Sequence, residues 1–280
     1  MNESVETREF DKRFEFISFG VRIAVESDQQ DMLDKARVLV DKAFGGRAKF
    51  FEPTTGSVAY TFGIHWEDGR FHLYENGDVV AAGESERNFF KFLNSAFRLQ
   101  VAEHAVGHVF VHAGVVSRDG LAILLPGISF SGKSTLTAEL VRNGAVYYSD
   151  EYAVLRADGH VVPFPRHLSL RDQTGHETMV PASELGGEVG RKAVPVGMIF
   201  FTRFSEAADI APEYLSPGAG IMEIIPNTLT IRKDPAFSLK VLELVAQRAI
   251  MVRSPRGDVN SFAKFLLEFF DINTKLSRVT

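Results

Sequence analysis

Apolar and polar residues alternate strictly through SVAYTFGIHW, which sets Val58, Tyr60, Phe62, Ile64 and Trp66 on one face of a predicted strand. Asp68-Gly69 then supplies residues that tolerate the left-handed backbone of a tight turn, and RFHLYENGDVVAAG returns to make a β-meander. Upstream, Phe14 and Phe16 alternate, and Phe19, Val21, Ile23 and Val25 alternate in a shifted phase; the slip predicts a bulge within one strand. Between that strand and the meander the pattern predicts a helix over 30–44. A second helix is predicted over 86–104, where Phe89, Leu93 and Phe97 recur at helical spacing and Ser85 stands at the N-cap position. These elements make residues 1–105 a smaller, β-rich α+β N-terminal domain.

From GHVFVHAGVVSRDGLAILLPG onward, long apolar runs replace the alternation, as expected of a sheet buried on both faces. A second, α/β domain is expected over 106–280. Further strands are predicted at 145–149, 152–156, 195–201 and 220–225, and helices at 236–248 and 261–270. ASELGGEVGRKAVP, residues 182–195, is Gly-rich and charged and reads as a mobile loop. The segments 172–195 and 204–219 are candidate walls for a substrate cleft. Most of the 24 phenylalanines fall at core spacing, and FLLEFF near the C-terminus is the stripe best suited to face a second copy of the chain.

Composition removes whole classes of function. The 280 residues are 45% hydrophobic and 24% charged, with a net charge of −5 and no basic run, so nucleic acid is not an expected partner. The absence of cysteine excludes disulfides, thiolate metal sites and a cysteine nucleophile, and suits a reducing cytoplasm. MNESVETREFDKRFEF lacks the apolar core of a signal peptide, and no apolar run reaches the roughly 18 residues of a membrane span. A cytoplasmic protein without a membrane partner is expected. The histidines have no ligand spacing of the HExxH kind, so no transition-metal site is expected.

LAILLPGISFSGKSTLTAELV carries the chemistry. Gly127, Gly132, Lys133 and Ser134 match G-x-x-x-x-G-K-[ST], between a buried-strand pattern and a helical one that stops at Gly144. The glycines let backbone N–H groups turn inward on a phosphate, Lys133 offers a compact cation to the β and γ oxygens, and the Ser134 hydroxyl can ligate Mg²⁺. The candidate nucleotide-binding residues are Gly127, Ile128, Ser129, Phe130, Ser131, Gly132, Lys133, Ser134 and Thr135. A helix of about 15 Å and a strand that returns the same distance bring Asp150 and Glu151 back beside the loop. One of those carboxylates can hold Mg²⁺ and the other can accept a proton. His112 lies in the apolar FVHAGVV, where a hydrogen-bonded core histidine is the commoner role. Arg166 is a candidate second cation for the phosphates or the acceptor, and equally a surface arginine.

Residues 112–156, HAGVVSRDGLAILLPGISFSGKSTLTAELVRNGAVYYSDEYAVLR, resemble the catalytic domain of HPr kinase/phosphorylase and of HPr-kinase-like proteins. PFPRHLSLR, residues 163–171, is similar to the segment that follows in that group. The resemblance implies an α/β P-loop domain of the HPr kinase type, with ATP phosphates on Gly127 to Ser134. It further implies Mg²⁺ near Ser134 and the Asp150/Glu151 pair, Asp150 as general base, and His112 near the transferred phosphate. HPr kinases assemble as oligomers, which implies a homo-oligomer here. The sequence departs from the family at Thr135, where an acid is usual, at Glu151, which replaces a second aspartate, and in lacking the second Gly-rich signature. Its N-terminal meander is also unlike theirs.

Two functions fit these residues. The first is an ATP-dependent phosphotransferase acting on a hydroxyl of a peptide, a protein or a small molecule, with Asp150 as base. The second is a nucleotide-binding regulator or slow ATPase that switches a partner. The N-terminal meander offers an edge to which a peptide could add as a strand.

Overall fold

The computed structural model describes residues 8–53, 57–128, 131–171, 174–206 and 208–276. They form a mixed α/β structure in two compact units that divide between Val106 and Gly107.

The first unit runs β1 (Lys12–Ser18), β2 (Val21–Ser27), α1 (Gln30–Phe44), β3 (Lys49–Phe51), β4 (Tyr60–Glu67), β5 (Arg70–Glu75), β6 (Asp78–Gly83) and α2 (Glu86–His104). Its strands form one sheet in the order β3-β1-β2-β4-β5-β6. β2 and β4 pair in parallel, and β4, β5 and β6 make the antiparallel meander. The two helices cover an aromatic layer: Phe16 meets Phe44 of α1 at 5.8 Å and Phe97 of α2 at 5.7 Å, and Phe62 meets Phe97 edge-on at 4.9 Å. The Ser85 side chain accepts from the Asn88 N–H and so caps α2. Trp66 belongs to the same alternation as Phe62 and Ile64, yet it is 37% exposed because it lies at the strand end, where it stacks on Phe71 at 4.3 Å.

The slip near Phe19 is a chain reversal and not the bulge that the phase shift predicts. β1 and β2 are antiparallel partners, and Phe19 and Gly20 form the two-residue turn between them at φ +48° and +77°. A Cβ on Gly20 would come within 2.8 Å of the Val106 side chain, so only glycine fits there. Phe19 carries the left-handed strain that Asn or Asp usually takes in such turns, and for that reason the pattern concealed the hairpin.

The second unit runs β7 (His108–Arg118), β8 (Leu121–Pro126), α3 (Lys133–Arg142), β9 (Val146–Ser149), β10 (Tyr152–Arg156), β11 (His160–Val162), β12 (Leu168–Arg171), β13 (Glu177–Val180), β14 (Val194–Phe204), β15 (Glu213–Tyr214), α4 (Pro217–Ile224), α5 (Pro235–Ala246), β16 (Ile250–Arg256) and α6 (Val259–Leu276). The main sheet has the order β11-β10-β7-β8-β14-β16-β15, and β9 pairs with β7. β8, β14 and β16 are mutually parallel. α3 and α6 pack on one face of this sheet, against Ile123, Phe200 and Val252; α4 and α5 pack on the other, against Leu124, Ile199 and Met251. Phe262, Leu266 and Phe270 of the C-terminal stripe are buried in the first of these layers.

Two expectations for this unit are corrected. The apolar run 220–225 is helical, because Ser216 caps α4 by accepting from the Ala219 N–H and Pro217 stands at its first turn. Gly220 lets that helix approach the sheet, since a Cβ there would collide with Met251 at 2.3 Å. The segment 182–195 is not a loose loop. Glu188 and Gly190 exchange backbone hydrogen bonds with Tyr147, and the Tyr148 hydroxyl donates to the Lys192 carbonyl, so the segment runs along β9 as an extra edge.

One ionic group is built into the first unit. Glu15 is fully buried and accepts from Arg13 at 2.5 Å and from Arg22 at 2.6 Å. Glu15→Ala removes the buried carboxylate that Arg13 and Arg22 share, while Arg13 keeps its bond to Glu26 at 3.1 Å. We expect a loss of about 2–3 kcal/mol in urea unfolding, below the 3–5 kcal/mol of fully buried pairs because the arginines can rehydrate; Glu15→Gln is expected to lose less.

Candidate functional site

The residues that match a phosphate-binding pattern occupy the turn between β8 and α3. Backbone bonding fixes where the turn starts: Gly127 N–H donates to the His112 carbonyl at 3.2 Å, which ties it to β7. It ends at Gly132, whose φ of +79° is a left-handed conformation suited to glycine. No side chain caps α3, so the positive end of the helix faces the turn. Ile128 is 71% exposed at the rim. Ser129 and Phe130 lie outside the described residues.

Lys133 opens α3 and is buried. Its ammonium donates to the Ile128 carbonyl at 2.6 Å, across the mouth of the turn. Burial lowers its pKa to about 8, although the nearby Asp150 carboxylate acts in the opposite direction. Thr135 lies one residue into the helix after Ser134.

Asp150 arrives from the end of β9, is 8% exposed, and is held by three donors. The Ser134 hydroxyl donates to its Oδ2 at 3.2 Å, the Ser169 N–H donates to the same oxygen at 3.1 Å, and the buried Tyr147 hydroxyl donates to Oδ1 at 3.2 Å. The single hydrogen of that phenol is shared with the Arg166 carbonyl, which lies closer at 2.9 Å and ties the approach to β12 beneath the acid. Burial and the Asp150 charge raise the Tyr147 pKa well above its ordinary value, so the phenol stays a donor. A hydroxyl and a carboxylate oxygen this close are hard donors of the kind Mg²⁺ takes. Among the described residues no group of three or more His, Asp or Glu side chains gathers around one point.

Glu151 and Arg166 form an ion pair with each other, both 19% exposed. The Arg166 guanidinium is therefore engaged by Glu151 next to the Asp150 network. His112 sits in β7 opposite Tyr152, with ring centroids 6.0 Å apart. Burial, aided by the Lys133 charge, lowers its pKa to about 4, which keeps the imidazole neutral at pH 7.

The pattern of the sequence did not reveal Arg256. It ends β16, is 4% exposed, and donates from Nη2 to the Ser131 carbonyl at 2.8 Å. A Cβ on Gly132 would fall 2.3 Å from that nitrogen, so any larger residue there would push the guanidinium aside. Its guanidinium lies 5.7 Å from the Phe204 ring centroid and has no carboxylate partner among the described residues. Burial lowers its pKa. The only local signal was Ile250-Met251-Val252, an apolar run too short to mark a strand beside Pro255.

No protein-family model matches the sequence, and no curated protein matches it. Among solved structures, the chain is similar to the Hpr(Ser) kinase/phosphatase from Coxiella burnetii, at 13% identity over 61% of this chain and 99% of that one. The TM-score is 0.31.

His112 supplies a test of the site's electrostatics. Its folded pKa of about 4 lies below the 6.5 of an unfolded histidine, so as pH falls the unfolded chain takes the proton first. The stability is intact above pH 6.5 and erodes down to about pH 4. We expect the His112 contribution to fall by about 2 kcal/mol between pH 7 and pH 4.5 in urea unfolding, and that part of the slope to vanish in His112→Asn.

Proposed function

We propose that this protein is an ATP-dependent phosphotransferase that moves the γ-phosphate to a hydroxyl acceptor. The observation that carries the reading is the meeting of Lys133, Ser134 and Asp150 at an uncapped helix start: a buried cation, a hydroxyl and a buried carboxylate, with Ser134 and Asp150 3.2 Å apart. A regulator would need Asp150 only to hold the metal, with no group placed to take a proton. A carboxylate fixed by Tyr147 and Ser169 at the reacting end is what a transfer to a hydroxyl needs in addition.

In this reading the amides at the start of α3 and the Lys133 ammonium take the β and γ oxygens, and a phosphate oxygen replaces the neutral Ile128 carbonyl as the partner of that ammonium. Ser134 would hold Mg²⁺, directly or through water, and the ion would neutralise charge on the phosphate oxygens, which leaves the Asp150 carboxylate for the proton. Asp150 accepts the proton of the acceptor hydroxyl. Arg256 supplies the second cation, a role for which Arg166 was a candidate, because its charge has no carboxylate partner among the described residues. Neutral His112 keeps a competing positive charge away from Lys133. Catalysis is then mainly positioning and electrostatic stabilisation.

The test is transfer of label from γ-labelled ATP with Mg²⁺, in the presence and absence of a lysate of the source cells. Label is expected on a specific peptide, protein or metabolite. Lys133→Ala and Asp150→Asn are each expected to reduce transfer at least about 100-fold, and Arg256→Ala to lower the rate more than nucleotide affinity. Nucleotide binding with label passing only to water would overturn the transferase reading in favour of a switch.

Affinity for ATP carries a pH signature. Below pH 8 Lys133 is already protonated, and above it binding must take up a proton. Titration calorimetry should show affinity falling by up to about tenfold per pH unit above 8 in the wild type, and weak, flatter binding in Lys133→Met.

A further inference from the structure

We infer that the cleft at the carboxyl ends of β8, β14 and β16 is the site of the nucleoside part of the nucleotide; the inference rests on the nucleotide reading above. Topology gives the first reason. β8 and β14 are parallel neighbours, but the chain leaves them in opposite directions. From β8 it passes through α3 to β9, which pairs with β7; from β14 it passes through α4 and α5 to β16. α3 packs on one face of the sheet and α4 and α5 on the other. No crossover covers the ends of two strands whose connections diverge in this way, and in open α/β sheets ligands bind in the crevice so left.

The second reason is the polarity of the bound nucleotide. Asp150 and Ser134 mark the reacting end of the phosphate chain, and Asp150 follows β9, on the β7 side of β8. A nucleotide with its γ-phosphate there runs across the turn after β8, and its nucleoside emerges on the opposite side, over β14 and β16.

A cleft of about 380 Å³ lies at that place, within the range of about 300–1,000 Å³ typical of small-molecule sites. Pro126, which leads into the phosphate turn, and Pro255, which precedes Arg256, both line it, so the cleft adjoins the phosphate site. Phe201 and Ala211 add apolar wall. Arg253 is clamped between Glu213 at 2.7 Å and Glu223 at 2.6 Å, which fixes its guanidinium as a flat cationic surface. Such a plane stacks on aromatic rings, and the flanking carboxylates accept from exocyclic amino groups. The ligand class is therefore a nucleoside whose base carries an exocyclic amino group. Arg203, in register with Pro255, is exposed and makes no ion pair among the described residues; it is a cation at the rim for the phosphate end.

The test compares MgATP with Mg-tripolyphosphate, which has the phosphates and no nucleoside, on wild type and on Ala211→Trp, whose indole fills the cleft. We expect the variant to weaken ATP at least tenfold and to leave tripolyphosphate unchanged. Photolabelling of the wild type with 8-azido-ATP, mapped by mass spectrometry, is expected to mark residues within 199–214 or 250–256. Equal affinities in wild type and variant, or label confined to other segments, would overturn the inference and leave the cleft to the acceptor. If Ala211→Trp weakens both probes alike, the photolabel map decides. A wild type that binds tripolyphosphate but places the azido group elsewhere loses only this inference; one that binds neither probe loses the nucleotide reading as well.

Discussion

The buried ammonium of Lys133 is the constraint around which the larger unit is arranged. A charge withdrawn from water is costly, and the depressed pKa of about 8 records that cost. The structure offsets it only in part, with the Ile128 carbonyl and the field of Asp150. The remainder is a standing preference for an anion at one point, just where the uncapped start of α3 presents its positive end. Arg256, buried against the Ser131 carbonyl and without a carboxylate partner among the described residues, adds to the same preference. Two under-compensated cations on one turn of backbone are poor for stability and suited to binding phosphate.

That arrangement needs a rigid frame, and the sheet supplies it. β7 contributes His112 and its carbonyl, β9 delivers Asp150, and β16 delivers Arg256. These three segments are separated by dozens of residues and converge because β8 stands between β7 and β14, with β16 beyond. The residues that hold Asp150 come from further still: Tyr147 fixes both the acid and the Arg166 carbonyl, and Ser169 adds a backbone donor. A carboxylate with three donors has little rotational freedom, which in the proposed reading fixes the geometry of the proton acceptor before substrate arrives.

The first unit is organised by a different rule. Its aromatic residues, among them Phe16, Phe62 and Phe97, pack in edge-on and tilted contacts between one sheet and two helices. Glu15 is a buried charge in this unit, tolerated because it has two close arginine partners.

Much of the local structure was determined by sequence alone. Both helices of the first unit follow from apolar spacing, α2 with a serine cap besides, the meander follows from period-two alternation, and the turn before α3 follows from its glycines. These features depend on residues within one or two turns of each other, so a short window contains their cause. The hairpin at Phe19-Gly20 failed because a phenylalanine took a strained position that the surrounding fold enforces, and α4 failed because its apolar run lies against Met251 and shows no helical periodicity of its own. For the site, Lys133, Ser134 and Asp150 were legible from a motif and from the return distance of a helix and a strand. Arg256 was not, nor was the pairing of Arg166 with Glu151. Register between β14 and β16 decides which residue of β16 reaches the turn, and register is set by pairing across half the chain.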